Sequence, residues 1–185
     1  IDLLGVPTIA LTATATPRVR DEMVQHLRLE EPLVIYGSFA RPNLRFDVFP
    51  IARDAARAST LVEALDARGM RRGGNGRAII YCATRKKVEW VAKELKSQGF
   101  PVGFYHAGCS DKQRNATHRG YNSGRIPILV ATNAFGMGID NPDVRLIVHF
   151  QMPASLEAYY QEAGRAGRDG LPADCHLYFG ASDFV

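Results

Sequence analysis

The sequence predicts an α/β fold, a mostly parallel sheet with helices on both of its faces. Two observations carry this. From residue 45 onward, short apolar or β-branched runs alternate with amphipathic helical stretches. Loops of a few residues separate them, which suits strand–helix–strand crossovers in a parallel sheet. The composition agrees with a packed domain. The chain has 185 residues, 46% of them hydrophobic, enough to build a core. A net charge of +4 permits an anionic partner without requiring one. The three cysteines, Cys82, Cys109 and Cys175, form no CxxC pair, so neither a zinc site nor a disulfide framework is expected. No apolar stretch has the length of a membrane span and no signal peptide precedes Ile1, so a soluble, cytosolic protein is expected, with no membrane partner. The start in an apolar run without an initiator Met reads as a piece of something longer.

Residues 8–16 (TIALTATAT) read as a buried strand running into a turn, and Pro17 opens a helix to about Leu27 with Thr16 as its cap. Residues 33–36 read as a short strand. Pro42 forces Arg41 toward extended geometry, as in a linker. A strand follows at 45–50. A helix at 53–68 then has an apolar stripe of Ala55, Ala58, Leu61, Val62 and Leu65. Residues 68–77 hold four Arg and four Gly and read as a mobile, solvated connector in preference to a nucleic-acid contact.

Residues 78–82 read as a buried strand with Thr84 and Arg85 at its carboxyl end, and a helix from about Lys86 to Gln98 closes on Gly99. Ligands of open α/β sheets gather at such ends, where helix N-termini meet anions, so Thr84 and Arg85 are placed to hold a phosphate. Thr84 also fits a helix cap, and both readings stand together. A strand at 102–105 ends on His106, which has no Cys, Ser or second His spaced to make it a triad member or metal ligand. A helix spans about 110–121. The strand at 128–131 runs into a turn where Gly136 and Gly138 relax the backbone and Asp140 follows. An apolar strand at 144–150 precedes a helical pattern from Ser155, and a strand at 175–179 closes the chain. Gln161, Arg165 and Arg168 are four and three residues apart, so one helical face would point all three the same way. Gly164 and Gly167 precede the two arginines and remove bulk where a charged partner would approach, an arrangement that suits a polyphosphate.

These residues resemble a known family. Gln161-Glu162-Ala163-Gly164-Arg165-Ala166-Gly167-Arg168-Asp169-Gly170 is similar to motif VI of the RecQ-type DNA helicases, and Ala131-Thr132-Asn133-Ala134-Phe135-Gly136-Met137-Gly138-Ile139-Asp140 to their motif V. Ala10-Leu11-Thr12-Ala13-Thr14-Ala15 resembles motif III at the end of a first RecA-like lobe, Arg41-Pro42-Asn43 the linker between lobes, and Ile79-Ile80-Tyr81-Cys82-Ala83-Thr84-Arg85 motif IV. The resemblance implies that residues 1–40 are the tail of the first RecA-like lobe with its linker and 41–185 the second, C-terminal lobe, a three-layer fold. It implies a 3′–5′ DNA helicase of replication, recombination and repair that uses ATP and Mg²⁺ and takes single-stranded and duplex DNA. Such a protein works in the cytoplasm, on the nucleoid in a bacterium, or in the nucleus of a eukaryote. Arg168 then acts as an arginine finger with Arg165 as companion. Asp140 hydrogen-bonds ribose or orders the turn, Gly138 lies beside the nucleotide, and Gln161 links nucleotide and DNA. Thr84, Arg85, Thr132 and Asn133 contact DNA phosphates, and His106, in a segment similar to the family's Tyr-His-Ala-Gly, is a phosphate donor. The family has Leu where Cys109 stands, a small apolar exchange. Relatives of this type continue into a Cys₄ zinc subdomain and a winged helix, and neither is in this sequence.

The sequence has no G-x-x-x-x-G-K-[ST] and no acidic box of the DEAH type. Without them nothing cradles the β- and γ-phosphates or positions the metal, so the chain alone is not expected to hydrolyse ATP. Two alternatives are an RNA-unwinding lobe of DEAD-box type, which usually shows HRIGR-like residues in motif VI, and a stand-alone nucleic-acid-binding module. A dinucleotide-binding oxidoreductase needs GxGxxG after the first strand, which is absent.

Overall fold

The computed structural model describes residues 7–12, 15–35, 37, 40–72, 74, 76–135 and 140–184. The chain divides into two compact units after Ala40. Among the described residues of the first, the regular element is helix α1 (Pro17–His26), with Pro17 in its first turn and Thr16 Oγ1 accepting from the Val19 amide at 3.3 Å. The strands expected at 8–16 and 33–36 are not formed among the described residues of those stretches. Ile9, Leu11, Leu33 and Ile35 are all more than four-fifths exposed. A β-branched run becomes a strand when its backbone finds a ladder to join, and this unit presents none at the described residues.

The second unit alternates strand and helix. Its elements are β1 (Leu44–Pro50), α2 (Asp54–Asp66), β2 (Arg77–Tyr81), α3 (Arg85–Ser97), β3 (Val102–Tyr105), α4 (Asp111–Asn122), β4 (Ile128–Ala131), β5 (Val144–His149), α5 (Leu156–Ala163) and β6 (Ala173–Phe179). The six strands form one sheet in the order β1-β6-β5-β2-β4-β3, every pair parallel. Successive side chains leave opposite faces of a strand. Ala78 and Ile80 therefore join Ile128, Val130, Leu146 and Val148 under α2 and α3. Ile79 and Tyr81 join Leu129, Ala131 and Ile147 with Tyr121 of α4 and Ala163 of α5. The expected α/β sheet covered on both faces is what forms. Among the described residues no helix is long and apolar enough to cross a membrane.

The strand order places the functional loops. β4 and β5 follow one another in sequence yet flank β2 on opposite sides. Since all strands are parallel, β4 ends and β5 begins at opposite ends of the sheet, so Thr132 and Asn133 stand at its carboxyl end and Pro142 and Asp143 at its amino end.

Two local expectations are corrected. The basic stretch 68–77 is anchored. Met70 is fully buried, and Arg71 pairs with Asp66 at 2.5 Å, donates to the Gln98 carbonyl and lies 4.3 Å from the centroid of the Phe100 ring. Arg68 pairs with Asp174. A composition rich in Gly and Arg hides one anchor residue and three guanidiniums with partners in reach, the third being Arg77 against Asp143. In α2 the buried face is Arg57, Leu61 and Leu65, while Ala55 is exposed. Arg57 donates to the carbonyls of Ile51 (2.7 Å) and Phe150 (2.9 Å) and pairs with Asp183 at 2.5 Å, both side chains nearly inaccessible. Breaking a buried pair leaves one charge uncompensated. Asp183→Ala is expected to destabilise the protein by about 3–5 kcal/mol. Urea unfolding reads this directly, and a loss under about 1 kcal/mol would show that the pair is dispensable.

Candidate functional site

Ser155 Oγ accepts from the Ala158 amide at 3.1 Å and starts α5, which ends at Ala163 with Gly164 as its cap. Beyond it the chain continues in turns, with Arg165 N donating to Glu162 O, Ala166 N to Ala163 O and Gly170 N to Gly167 O. Gly167 takes φ +54° and Gly170 φ +81°, the left-handed region. The expected helical face bearing Gln161, Arg165 and Arg168 is therefore corrected: Gln161 is on the helix, and the arginines follow in the turns. This arginine turn packs at the amino ends of the strands, where Gly167 N donates to Val144 O at 2.9 Å.

The turn is held by side chains from elsewhere. β1 pairs with β6 so that Leu44 faces Ala173, which brings residues 41–43 alongside the turn. Arg41 Nη1 donates to the Gly164 carbonyl at 3.1 Å, and its Nη2 to those of Ala166 (2.8 Å) and Gly167 (2.9 Å). Asn43 Nδ2 donates to the carbonyls of Gly167 (2.8 Å) and Leu171 (2.9 Å). Arg145 donates to Leu171 and Pro172 and pairs with Asp169, holding that carboxyl below the usual range. Gly167 is accordingly a glycine for an internal reason. A Cβ there would stand 2.5 Å from Asn43 Nδ2 and 2.7 Å from Leu171 O. Its small size makes room for the chain's own clamp, where the sequence pointed to a charged partner.

Between α5 and the carboxyl ends of β2 and β5 lies a group of buried polar side chains. His149 Nε2 meets Glu162 Oε2 at 2.8 Å, and its ring stacks on Tyr81 (5.4 Å, 24°) and packs on Tyr159 (4.8 Å). Burial pushes the Tyr81 phenol well above its ordinary pKa, while Arg165 pulls it back down. Arg168 Nη1 pairs with Asp140 Oδ1 at 2.6 Å. The Asp140 side chain is 89% exposed, so this is a surface pair, worth no more than about 1 kcal/mol. Gly138, and Gly136 before it, lie outside the described residues.

The other predicted residues collect at the carboxyl ends of the strands. Thr84 Oγ1 caps α3, accepting from Lys87 N at 3.2 Å. Lys87 is drawn inward, paired with Asp54 and 5.1 Å from the Trp90 ring centroid. Arg85 is exposed, and its Nη1 passes 3.3 Å from where a Cβ of Gly108 would stand. No acid occupies the first turn of α3, so cations gather at a helix end that favours anions. After β4, Thr132 N donates to Tyr105 O at 3.3 Å, and Asn133 is exposed. His106 differs from the phosphate donor expected. It is buried, its Nδ1 accepts from the Gly108 amide at 3.1 Å, and its Nε2 lies 3.2 Å from Glu89. Both ring nitrogens serve the loop that Arg85 crosses.

The sheet thus separates the predicted residues into two sets. Asp140 and Arg168 stand at its amino end and Thr84, Arg85, Thr132 and Asn133 at its carboxyl end, while the Arg165 side chain reaches Tyr81, the last residue of β2. Nothing local in the sequence points Arg41, Asn43 or Arg145 at the turn, and Arg41 is 123 residues from its first carbonyl partner.

Residues 56–170 match the family model described as the helicase conserved C-terminal domain. The chain belongs to that family. Over nearly its whole length the chain is similar to proteins named as RecQ-type helicases. It is 43% identical over 182 residues to the ATP-dependent helicase wrn-1 of Caenorhabditis elegans, covering 98% of this chain and 17% of that protein. It is 41% identical over 179 residues to the ATP-dependent DNA helicase RecQ of Pasteurella multocida (strain Pm70), covering 97% and 27%. The chain therefore spans between about a sixth and a little over a quarter of the length of these relatives. The solved structure of S. cerevisiae Dbp5 bound to RNA and ADP BeF3 superposes with a TM-score of 0.73 at 22% identity, covering 90% of this chain and 43% of that chain. That likeness establishes the RecA-like fold.

The clamp makes the two turn glycines unequal. Gly167→Ala must adopt a left-handed backbone and displace backbone and amide atoms, and is expected to cost at least about 2 kcal/mol. Gly164→Ala has φ −61° and meets one carbonyl at 3.0 Å, and is expected to cost less than about 1 kcal/mol. Equal losses in denaturant unfolding would refute this account of the turn.

Proposed function

We propose that this lobe is half of the ATP site and part of the DNA track of a RecQ-type DNA helicase that moves 3′ to 5′ and unwinds duplex DNA in replication, recombination and repair. Residues 1–40 are then the tail of the first RecA-like lobe and its connector, and residues 41–185 the second lobe. One observation carries the reading. Two guanidiniums stand on a turn clamped by Arg41, Asn43 and Arg145, in a sequence with no phosphate-cradling loop of its own. A rigid cationic turn without a nucleotide cradle is the complement of a site held by another lobe.

The donor set fits the phosphate end of ATP, since guanidiniums match phosphate oxygens with paired N–H groups. Mg²⁺ falls to the first lobe, because this sequence lacks the residues that hold it with the phosphates. ATP, when bound, supplies the free energy of its β–γ phosphate bond. Arg168 stabilises negative charge that grows on the transferred group, and Arg165 neutralises charge beside it. Asp140 holds Arg168 while no phosphate is present. The exposed pair is weak beside a charge-assisted phosphate contact, so the guanidinium exchanges one anion for the other. Gly138 borders the nucleotide, and Gln161, on the exposed side of α5, joins the two ends of the lobe.

At the other end Arg85, Thr84, Thr132 and Asn133 take the phosphates of single-stranded DNA and of the duplex it leaves, while His106 and Glu89 hold the loop beneath Arg85. Contacts of this kind are salt-dependent and tolerant of sequence. DNA is preferred to RNA because the relatives near 40% identity are named as DNA helicases, whereas the RNA-bound likeness stands at 22%. A protein that works on DNA belongs in the bacterial cytoplasm or the eukaryotic nucleus.

ATP turnover tests the reading. The chain alone should be silent. In the full-length helicase, DNA-stimulated turnover should fall by about 10³–10⁵ on Arg168→Ala. Turnover by the chain alone that Arg168→Ala leaves untouched would mean a nucleotide site of a different kind.

A further inference from the structure

We propose that Arg41 is a positioning residue for the arginine finger, setting where Arg165 and Arg168 stand through the backbone of the turn. The proposal rests on the reading of Arg168 as the finger. Its ground is the pattern of three bonds that one guanidinium makes. The Gly164 carbonyl belongs to the peptide unit entering Arg165, and those of Ala166 and Gly167 to the units leading through to Arg168. Peptide units are planar, so fixing their carbonyls fixes the backbone on the amino side of both arginines. Asn43 adds a second donor to the Gly167 carbonyl.

The location strengthens the case. The last carbonyls of a helix lack intrahelical partners and carry partial negative charge, and Arg41 brings a cation there, at the cap of α5. A lysine cannot replace it, because an ammonium on a flexible stem does not span three carbonyls as a planar fork does. Arg41 is also the first residue of the second unit and is followed by Pro42, which restricts its backbone. The point where the connector enters the unit and the turn that presents the finger are thus one hydrogen-bonded assembly.

A residue that acts this way lowers kcat and spares substrate binding, because a displacement near 1 Å costs on the order of 100-fold in rate. The test uses the full-length helicase with Arg41→Ala, Arg41→Lys, Arg168→Ala and the double variant Arg41→Ala/Arg168→Ala. DNA-stimulated ATP turnover, KM for ATP and the thermal midpoint are measured, with single-turnover assays for the slow variants. Arg41→Ala is expected to lower kcat by about 10- to 100-fold with KM within about twofold, and to cost clearly less when Arg168 is already gone, since only Arg165 is then left to displace. Arg41→Lys should recover only part of the loss, and it carries the test if Arg41→Ala fails to fold. An unchanged kcat in Arg41→Ala or Arg41→Lys, beside an inactive Arg168→Ala, overturns the positioning role and leaves the finger standing. An equal further loss in the double variant also overturns it, since Arg41 would then act elsewhere. Full turnover in Arg168→Ala removes the finger and this proposal with it.

Discussion

A turn rich in carbonyls, at the amino edge of a parallel sheet, is the constraint on which the site depends. A helix that runs out into turns leaves acceptors without helical partners, and buried acceptors must be satisfied. Here the donors are side chains, Arg41 and Asn43 from the entry to β1 and Arg145 from β5. Arg145 also neutralises Asp169 within the turn. Cations from elsewhere in the chain bind the backbone of the turn, while Arg168 meets an anion, Asp140. The weak Arg168–Asp140 pair fits this division.

The parallel sheet then sorts the chemistry. Loops at the carboxyl ends of β2, β3 and β4 gather Arg85, His106, Thr132 and Asn133, while the arginine turn belongs to the opposite end. Between the two ends runs α5, which follows β5 and packs on the sheet through Ala163. The buried His149–Glu162 contact secures α5 to β5, and Tyr81 lies between His149 and Arg165. A change at one end therefore has packed, hydrogen-bonded material through which to act on the other.

Much of this was legible from local pattern. Thr16 and Thr84 cap their helices as their positions before Pro17 and Arg85 imply, and Gly99 follows α3 at φ +82°. The apolar runs of β2, β4 and β5 became the centre of the sheet because strands buried on both faces carry few polar residues. Residues 8–12 and 33–35 read as strands on the same grounds and are not, because a ladder needs a neighbour and propensity supplies none. The stretch at 68–77 misled in the opposite sense, since Met70 finds the core despite its glycines.

The sequence by itself determined the class of fold, the order of elements, the caps and the kinship of the motifs, all of which rest on contacts a few residues apart. The tertiary structure decided what holds the arginines. Arg41 and Gly164 are 123 residues apart in sequence, and only the pairing of β1 with β6 brings them together. It also decided that Gly167 yields space to Asn43 and that His106 serves its own loop. A side chain's type states which bonds it is able to make. Which partner it meets depends on strand register, and register is a property of the whole sheet.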